Sequence, residues 1–306
     1  MARHPVAGLA IGALCVSASA VLIELSGGSP GTASFYRCLL ALPALLPLAF
    51  VERKGTGAPT SRRRWTAVAA GVLFAGDMVL WTQAIPEIGA GLSTVLVNVQ
   101  VILVPALGWL VDREPVTRRY LAALPAVVTG VVLTAGVSDH GGPGTAPGLG
   151  VVHAVLAALC YSGFLFLLRR SGHDGRVRQT YAEVTVTAAV VSLPAGLLWG
   201  GVTLAPGWAA IGWLAVAAVC GQVFGWLLVA VNAPRLRGDV AAVLLLLTPV
   251  GAMILGALVL GERPTLPQLC GCGLILAGAV ITAFRAGTRR GRELAEGTVP
   301  GVYTER

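Results

Sequence analysis

The feature that most constrains this chain is a run of apolar residues about 20 long that ends, pauses briefly and starts again, ten times over. A helix needs about 20 residues to cross a hydrocarbon core of roughly 30 Å, so each run is a candidate membrane span. Barrel strands would show as alternating segments of about 10 residues, and none occur. Only 12% of the 306 residues are charged, where a soluble chain would carry about a quarter. The sequence therefore predicts an all-α integral membrane protein. Its spans fall at about 6–25, 32–51, 65–85, 90–111, 119–137, 149–168, 180–199, 208–231, 239–260 and 268–285.

The first span has a positive flank in Arg3 and a small-residue triplet, Ala18-Ser19-Ala20, as in a cleaved signal. Its apolar run is long for a signal, and Ala13-Leu14-Cys15-Val16-Ser17 recurs as Ala158-Leu159-Cys160-Tyr161-Ser162. It is read as a retained span. The polar tail after Phe284 is predicted to be disordered.

The two halves of the chain match each other. A shift of 148 places Gly108 on Gly256, Glu114 on Glu262, Thr117 on Thr265, Gly130 on Gly278 and Thr134 on Thr282. A shift of 145 places Gly76 on Gly221 and Trp81 on Trp226. Each half holds five spans, an odd number, so the second half must lie upside down relative to the first. The basic residues test this separately. With both termini in the cytoplasm, the inner loops and ends hold all of the 22 Lys and Arg residues except Arg37 and Arg263. Equivalent loops also exchange character. The loop ERKGTGAPTSRRR is basic where its counterpart GGVTLAPG is not, and SGGSPGT is neutral where RRSGHDGRVRQ is basic. The positive-inside rule acting on two inverted repeats gives this pattern. The predicted organisation is a first repeat at 1–137, an extracytoplasmic linker at 138–148, a second repeat at 149–287 and a cytoplasmic tail at 288–306.

The stretch AAVLLLLTPVGAMILGALVLGERPTLPQLCGCGLILAGAVI (241–281), with Thr248-Pro249-Val250 and Gly261-Glu262, resembles the last two helices of EamA-type members of the drug/metabolite transporter superfamily. The stretches ASFYRCLLALPALL, with Arg37, and LSTVLVNVQVILVPALGWLVDREPVT are similar to that family's first half. The resemblance covers about 7–285 and implies ten helices and small-molecule transport, commonly export of amino acids or related metabolites. Two positions depart from the family pattern. Cys15-Val16-Ser17 stands where a Trp-Gly pair is common, and Val101 replaces a proline. The resemblance implies that both regions face the central cavity, so a relative's substrate does not transfer.

Four charges lie inside spans: Glu24, Arg37, Asp77 and Glu183. A charge at mid-bilayer costs about 2.5–3.5 kcal/mol on insertion scales, so each is a functional candidate. Glu24 and Arg37 flank a tight loop and are read as a structural ion pair. Glu183 lies beside an arginine-rich loop and can reach the headgroups. Asp77 is too deep for that. Its twin under the shift of 145 is Gln222, and each has a tryptophan four residues on, Trp81 and Trp226. Residues at i and i+4 share a helix face. The pair of faces is predicted to line a substrate- or proton-binding site, with Asp77 binding an ammonium or a proton. The competing reading is that Asp77 pairs with Arg37 and locks helices. Ser17, Tyr161, Asn98 and Thr248 are further candidates, with Ser93, Ser162 and Gln100 behind them. Asn98 and Gln100 lie about 200° apart on a regular helix, so only one should face the pore. His153 is read as interfacial.

Other chemistry has little to work with. The six cysteines all sit in apolar runs, without CxxC or a Cys/His cluster, and read as buried hydrophobes. The net charge of +8 is orientation signal in short loops, so no nucleic-acid partner is expected. No phosphate-loop motif is present for an ATP-driven pump. Four histidines give little basis for an intramembrane enzyme, which stays as the alternative from another class. No cofactor or metal is expected. The reading is a secondary transporter, not an enzyme, moving small metabolites outward by alternating access, with protons a candidate coupling ion. An uncoupled facilitator is the alternative within transport.

Overall fold

The computed structural model describes residues 4–113, 115, 118–134, 144–171, 176–199, 201–232, 236 and 238–283. The tail at 288–306, and residues 138–143 of the linker, lie outside the described residues. Among those described the structure is helical, with no strand. Seven helices are long and apolar enough to cross a membrane, and three shorter apolar ones bring the spans to ten.

Five spans are single helices at Pro5–Leu25, Pro30–Thr56, Ser61–Ile88, Arg118–Thr134 and Leu266–Ala283, the first, second, third, fifth and tenth. The sixth and seventh are Pro147–Ser171 and Val177–Trp199. Their ends follow local chemistry. The second opens with Pro30 in its first turn, where a missing N–H costs nothing, and the Ser29 hydroxyl accepts from Thr32 N at 3.3 Å. It stops at Gly57, whose φ of +76° suits glycine.

Three spans predicted as single helices are interrupted. The fourth is Ala90–Val97 followed by Gln100–Asp112, and the ninth is Gly238–Leu245 followed by Leu247–Val259. The backbone at Asn98 (φ −67°, ψ −7°) and at Leu246 (φ −66°, ψ −13°) has the same 3₁₀-like setting. These two positions are 148 residues apart, the shift that aligns the halves. The eighth span runs from Trp208–Ala217 through a π-helical stretch, Ala218–Gly225, into Trp226–Asn232.

The packing has the symmetry that the repeat predicts. The third span packs on the sixth as the eighth packs on the first, and the fourth lies on the sixth as the ninth lies on the first. The second and seventh, fourth and ninth, and fifth and tenth meet their own counterparts. The fold is thus two inverted five-helix repeats. Water cannot drive helices together inside a bilayer, so close backbone approach must help. A Cβ on Gly31 would lie 2.6 Å from Gly196 Cα, so the second and seventh spans touch main chain to main chain. The matched glycines Gly130 and Gly278 both face the fifth–tenth contact, where a side chain would strike Ile275 and Val127 respectively. Outward-facing apolar residues such as Leu198 and Leu258 remain exposed, as lipid contact requires.

Candidate functional site

A cavity of about 260 Å³ lies among the first, second, third, fourth, sixth, eighth and ninth spans. Of the residues predicted from sequence, Asp77, Trp81, Trp226, Tyr161, Asn98 and Thr248 line it. The third span brings Asp77 and Trp81 to it on one face, as their spacing of four predicts. Tyr161 from the sixth span stacks edge-on to Trp226 from the eighth, ring centroids 6.0 Å apart. Phe164 adds a second edge contact to Trp226 at 6.1 Å. The result is an aromatic wall opposite a small group of polar side chains.

Arg37 departs most from expectation. It does not pair with Glu24. Glu24 is exposed at the end of the first helix, while Arg37 sits seven residues into the second, about 10 Å along its axis, and turns inward. It is buried, lines the cavity and lies over the Trp81 ring at 5.2 Å from the centroid. Its Nε and Nη1 have no hydrogen-bond partner. Among the described residues it makes no contact ion pair with Asp77 either, although the two charges act on each other through space. One buried cation and one buried carboxylate therefore share a cavity without satisfying each other. Buried charges without a hydrogen-bonded counter-charge cost several kcal/mol each, so an arrangement of this kind favours a ligand that bridges them.

Three further expectations are corrected by local geometry. Asn98 and Gln100 both line the cavity, because the helix breaks between them and the 200° argument holds only for regular winding. Ser17 does not line it. Ser17 packs on Gly251 of the ninth span and donates to Leu14 O at 2.7 Å, while Ser19, almost half a turn round, takes the cavity face. Gln222 does not line it either. It lies in the π-helical stretch Ala218–Gly225, whereas its twin Asp77 is on a regular α-helix. Gln222 is fully buried, with both amide atoms unpartnered. Gln222→Leu is expected to leave transport within about twofold of wild type and to raise stability by about 1–3 kcal/mol, read by thermal unfolding in detergent.

Of the other candidates, Ser93 and Ser162 donate to their own helix backbones at Ala90 O (3.1 Å) and Ala158 O (2.6 Å) and stay out of the cavity. His153 is bonded through Nδ1 to Glu87 Oε2 at 2.6 Å, and Glu87 also accepts from Gln83 Nε2 at 2.6 Å. That cluster ties the third span to the sixth away from the cavity. Of the two departures from the family pattern, Val16 lines the cavity and Val101 does not. Thr94, Phe74 and Met78 are among the further lining residues that were not singled out, because nothing distinguishes them from other small or apolar residues in a span.

The Gly261-Glu262 pair has a physical role. Glu262 Oε1 accepts from Ala90 N at 2.6 Å and Oε2 from Gly91 N at 3.1 Å. The carboxylate so caps the N-terminus of the broken fourth span, where unpaired N–H groups and the helix dipole favour an anion. Gly256 makes room, since a Cβ there would strike Glu262 Oε2. Glu114, the twin of Glu262, lies outside the described residues.

Ten spans in two inverted halves around a small, largely apolar cavity with a few polar groups are the architecture of a multi-pass membrane transporter of small molecules. The profile of the EamA-like transporter family matches residues 5–136 and 148–284. The chain belongs to that family. It is 27% identical over 277 residues to the uncharacterized transporter YcbK of Bacillus subtilis, covering 87% of this chain and 88% of that one. A protein of known crystal structure superposes with a TM-score of 0.58 at 19% identity, over 93% of this chain and 98% of its own, which is a likeness of fold.

Proposed function

We propose that the protein is a secondary transporter that exports small zwitterionic metabolites, amino acids or related compounds, across the cytoplasmic membrane. The observation that carries this reading is the pair of unsatisfied charges in one cavity, Arg37 and Asp77. A substrate carboxylate takes the guanidinium, which offers a planar fork of donors, and a substrate ammonium takes the carboxylate. The Trp81, Tyr161 and Trp226 rings hold the remainder. The volume of about 260 Å³ lies below the roughly 300–1,000 Å³ of pockets for drug-sized ligands, so the cargo is small.

In this reading both termini lie in the cytoplasm, the orientation that the arginine distribution supports. The units that rock are the repeats 1–137 and 149–287, joined by the outer linker 138–148, and the tail 288–306 is cytoplasmic. The paired interruptions at Asn98 and Leu246 border the cavity, and broken helices of this kind are where such transporters place their sites. Asp77 is the titratable group of the site, so protons are the coupling ion of choice. No step here makes or breaks a covalent bond.

Flux of an isotope-labelled amino-acid mixture from proteoliposomes, with and without an imposed proton gradient, tests the reading. The expected result is saturable flux that rises several-fold with the gradient. Saturable flux blind to the gradient leaves an uncoupled facilitator. Absence of saturable flux for the whole mixture removes the amino-acid substrate.

A further inference from the structure

A second recess, about 730 Å³ and nearly three times the central one, opens between the second, third and seventh spans, at the end next to the loop 57–60. Its walls are apolar: Leu46 and Phe50 of the second span are 48% and 59% exposed, and Val186 of the seventh lies opposite. At its polar end stand Arg53 and Arg64, with Glu183 within electrostatic reach of both. Neither guanidinium has a hydrogen-bond or ion-pair partner among the described residues. The Lys54 ammonium lies 4.8 Å from the centroid of the Phe50 ring, adding a third cation at the mouth.

We propose that this recess is a binding site for an anionic phospholipid of the surrounding bilayer. The phosphodiester sits on Arg53 and Arg64, and an acyl chain runs along Leu46, Phe50 and Val186. Charge sets the choice of lipid. Arg53, Arg64 and Lys54 stand against Glu183 and against Glu52, whose carboxylate accepts from Gln179 N at the recess wall, which leaves one positive charge, the complement of one phosphodiester and one that a net-neutral headgroup would not neutralise. Depth agrees with it. Arg53 and Arg64 are in the last and first turns of their helices, at headgroup level, and Leu46 lies two turns deeper, at acyl level. The site shares no lining residue with the central cavity, and it does not depend on what that cavity carries.

Native mass spectrometry of the detergent-purified full chain, titrated with phosphatidylglycerol or phosphatidylcholine, tests this. Wild type is expected to retain phosphatidylglycerol at least tenfold more tightly than phosphatidylcholine, since each juxtamembrane basic residue favours anionic lipid by several-fold. In Arg53→Gln/Arg64→Gln the preference should fall to within about twofold of phosphatidylcholine. In Arg62→Gln/Arg178→Gln, which removes the same charge from exposed positions outside the recess, it should persist. Leu46→Trp fills the apolar end with all charges kept and should weaken retention as well, a readout that remains if the double arginine variant does not fold. Equal retention of the two lipids by wild type overturns the site. So does full retention in Arg53→Gln/Arg64→Gln or in Leu46→Trp, or an equal loss in the Arg62/Arg178 control.

Discussion

Asp77→Asn is expected to lower amino-acid flux by roughly ten- to hundredfold while leaving the folded protein as stable as wild type or more so. The two signs follow from one fact. The Asp77 carboxylate is 2% exposed, makes no hydrogen bond among the described residues, and has Arg37 as its neighbouring charge. Hydrogen bonds to a charged group contribute about 1.5–3 kcal/mol, which sets the size of the loss when the ammonium contact goes. Removing the buried carboxylate, in contrast, relieves its desolvation penalty and breaks no hydrogen bond among the described residues, which offsets the lost through-space attraction to Arg37. A residue whose role was to lock helices would behave the other way, losing stability together with activity. Flux in proteoliposomes and thermal unfolding of the same preparation separate the two. Wild-type flux in the variant removes Asp77 from the site.

Glu262→Ala should cost about 2–4 kcal/mol of stability, measured by thermal unfolding in detergent. Two charge-assisted hydrogen bonds vanish at once, and the N–H groups of the buried residues Ala90 and Gly91 are left without those partners. Glu262→Gln should fall between. One of its amide positions can still accept, but the other presents a donor to a backbone N–H. Gly256→Ala should resemble Glu262→Ala, since its Cβ would occupy the carboxylate's place. A loss below about 0.5 kcal/mol in Glu262→Ala would mean that the cap holds nothing that solvent or lipid headgroups do not hold equally well.

Much of this was legible in the sequence, and the misses share one physical origin. Run length and arginine placement are set by bilayer thickness and membrane orientation, which act on every span alike, so ten helices and two inverted halves could be read directly. The cavity face of the third span followed from spacing alone, because that helix winds regularly through Asp77 and Trp81. Where winding is irregular, phase arguments failed. The break at Asn98 brings Gln100 to the cavity beside it, and Gln222, in the π-helical stretch, is buried off the cavity that Trp226 lines. Ser17 and Ser19 were a matter of phase too, on a helix apolar all round whose buried side no pattern reveals. Arg37 was misassigned to Glu24 because nearness along the chain was taken for nearness in space. The two helices run away from their shared loop, and seven residues are enough to part a side chain from it. Glu262 was visible as a motif but not as a cap, since its partners are backbone N–H groups some 170 residues away, and sequence does not advertise backbone.

The central claim is that one small cavity holds a carboxylate on Arg37 and an ammonium on Asp77. Binding to the purified protein of an intact amino acid, its methyl ester and its N-acetyl derivative tests this most directly, with aromatic and aliphatic members tried in parallel. The account predicts that a zwitterion binds at least tenfold more tightly than either capped form, that Arg37→Gln erases the discrimination against the ester, and that Asp77→Asn erases that against the N-acetyl compound. Equal binding of all three forms to wild type, or the same loss pattern in both variants, would contradict it.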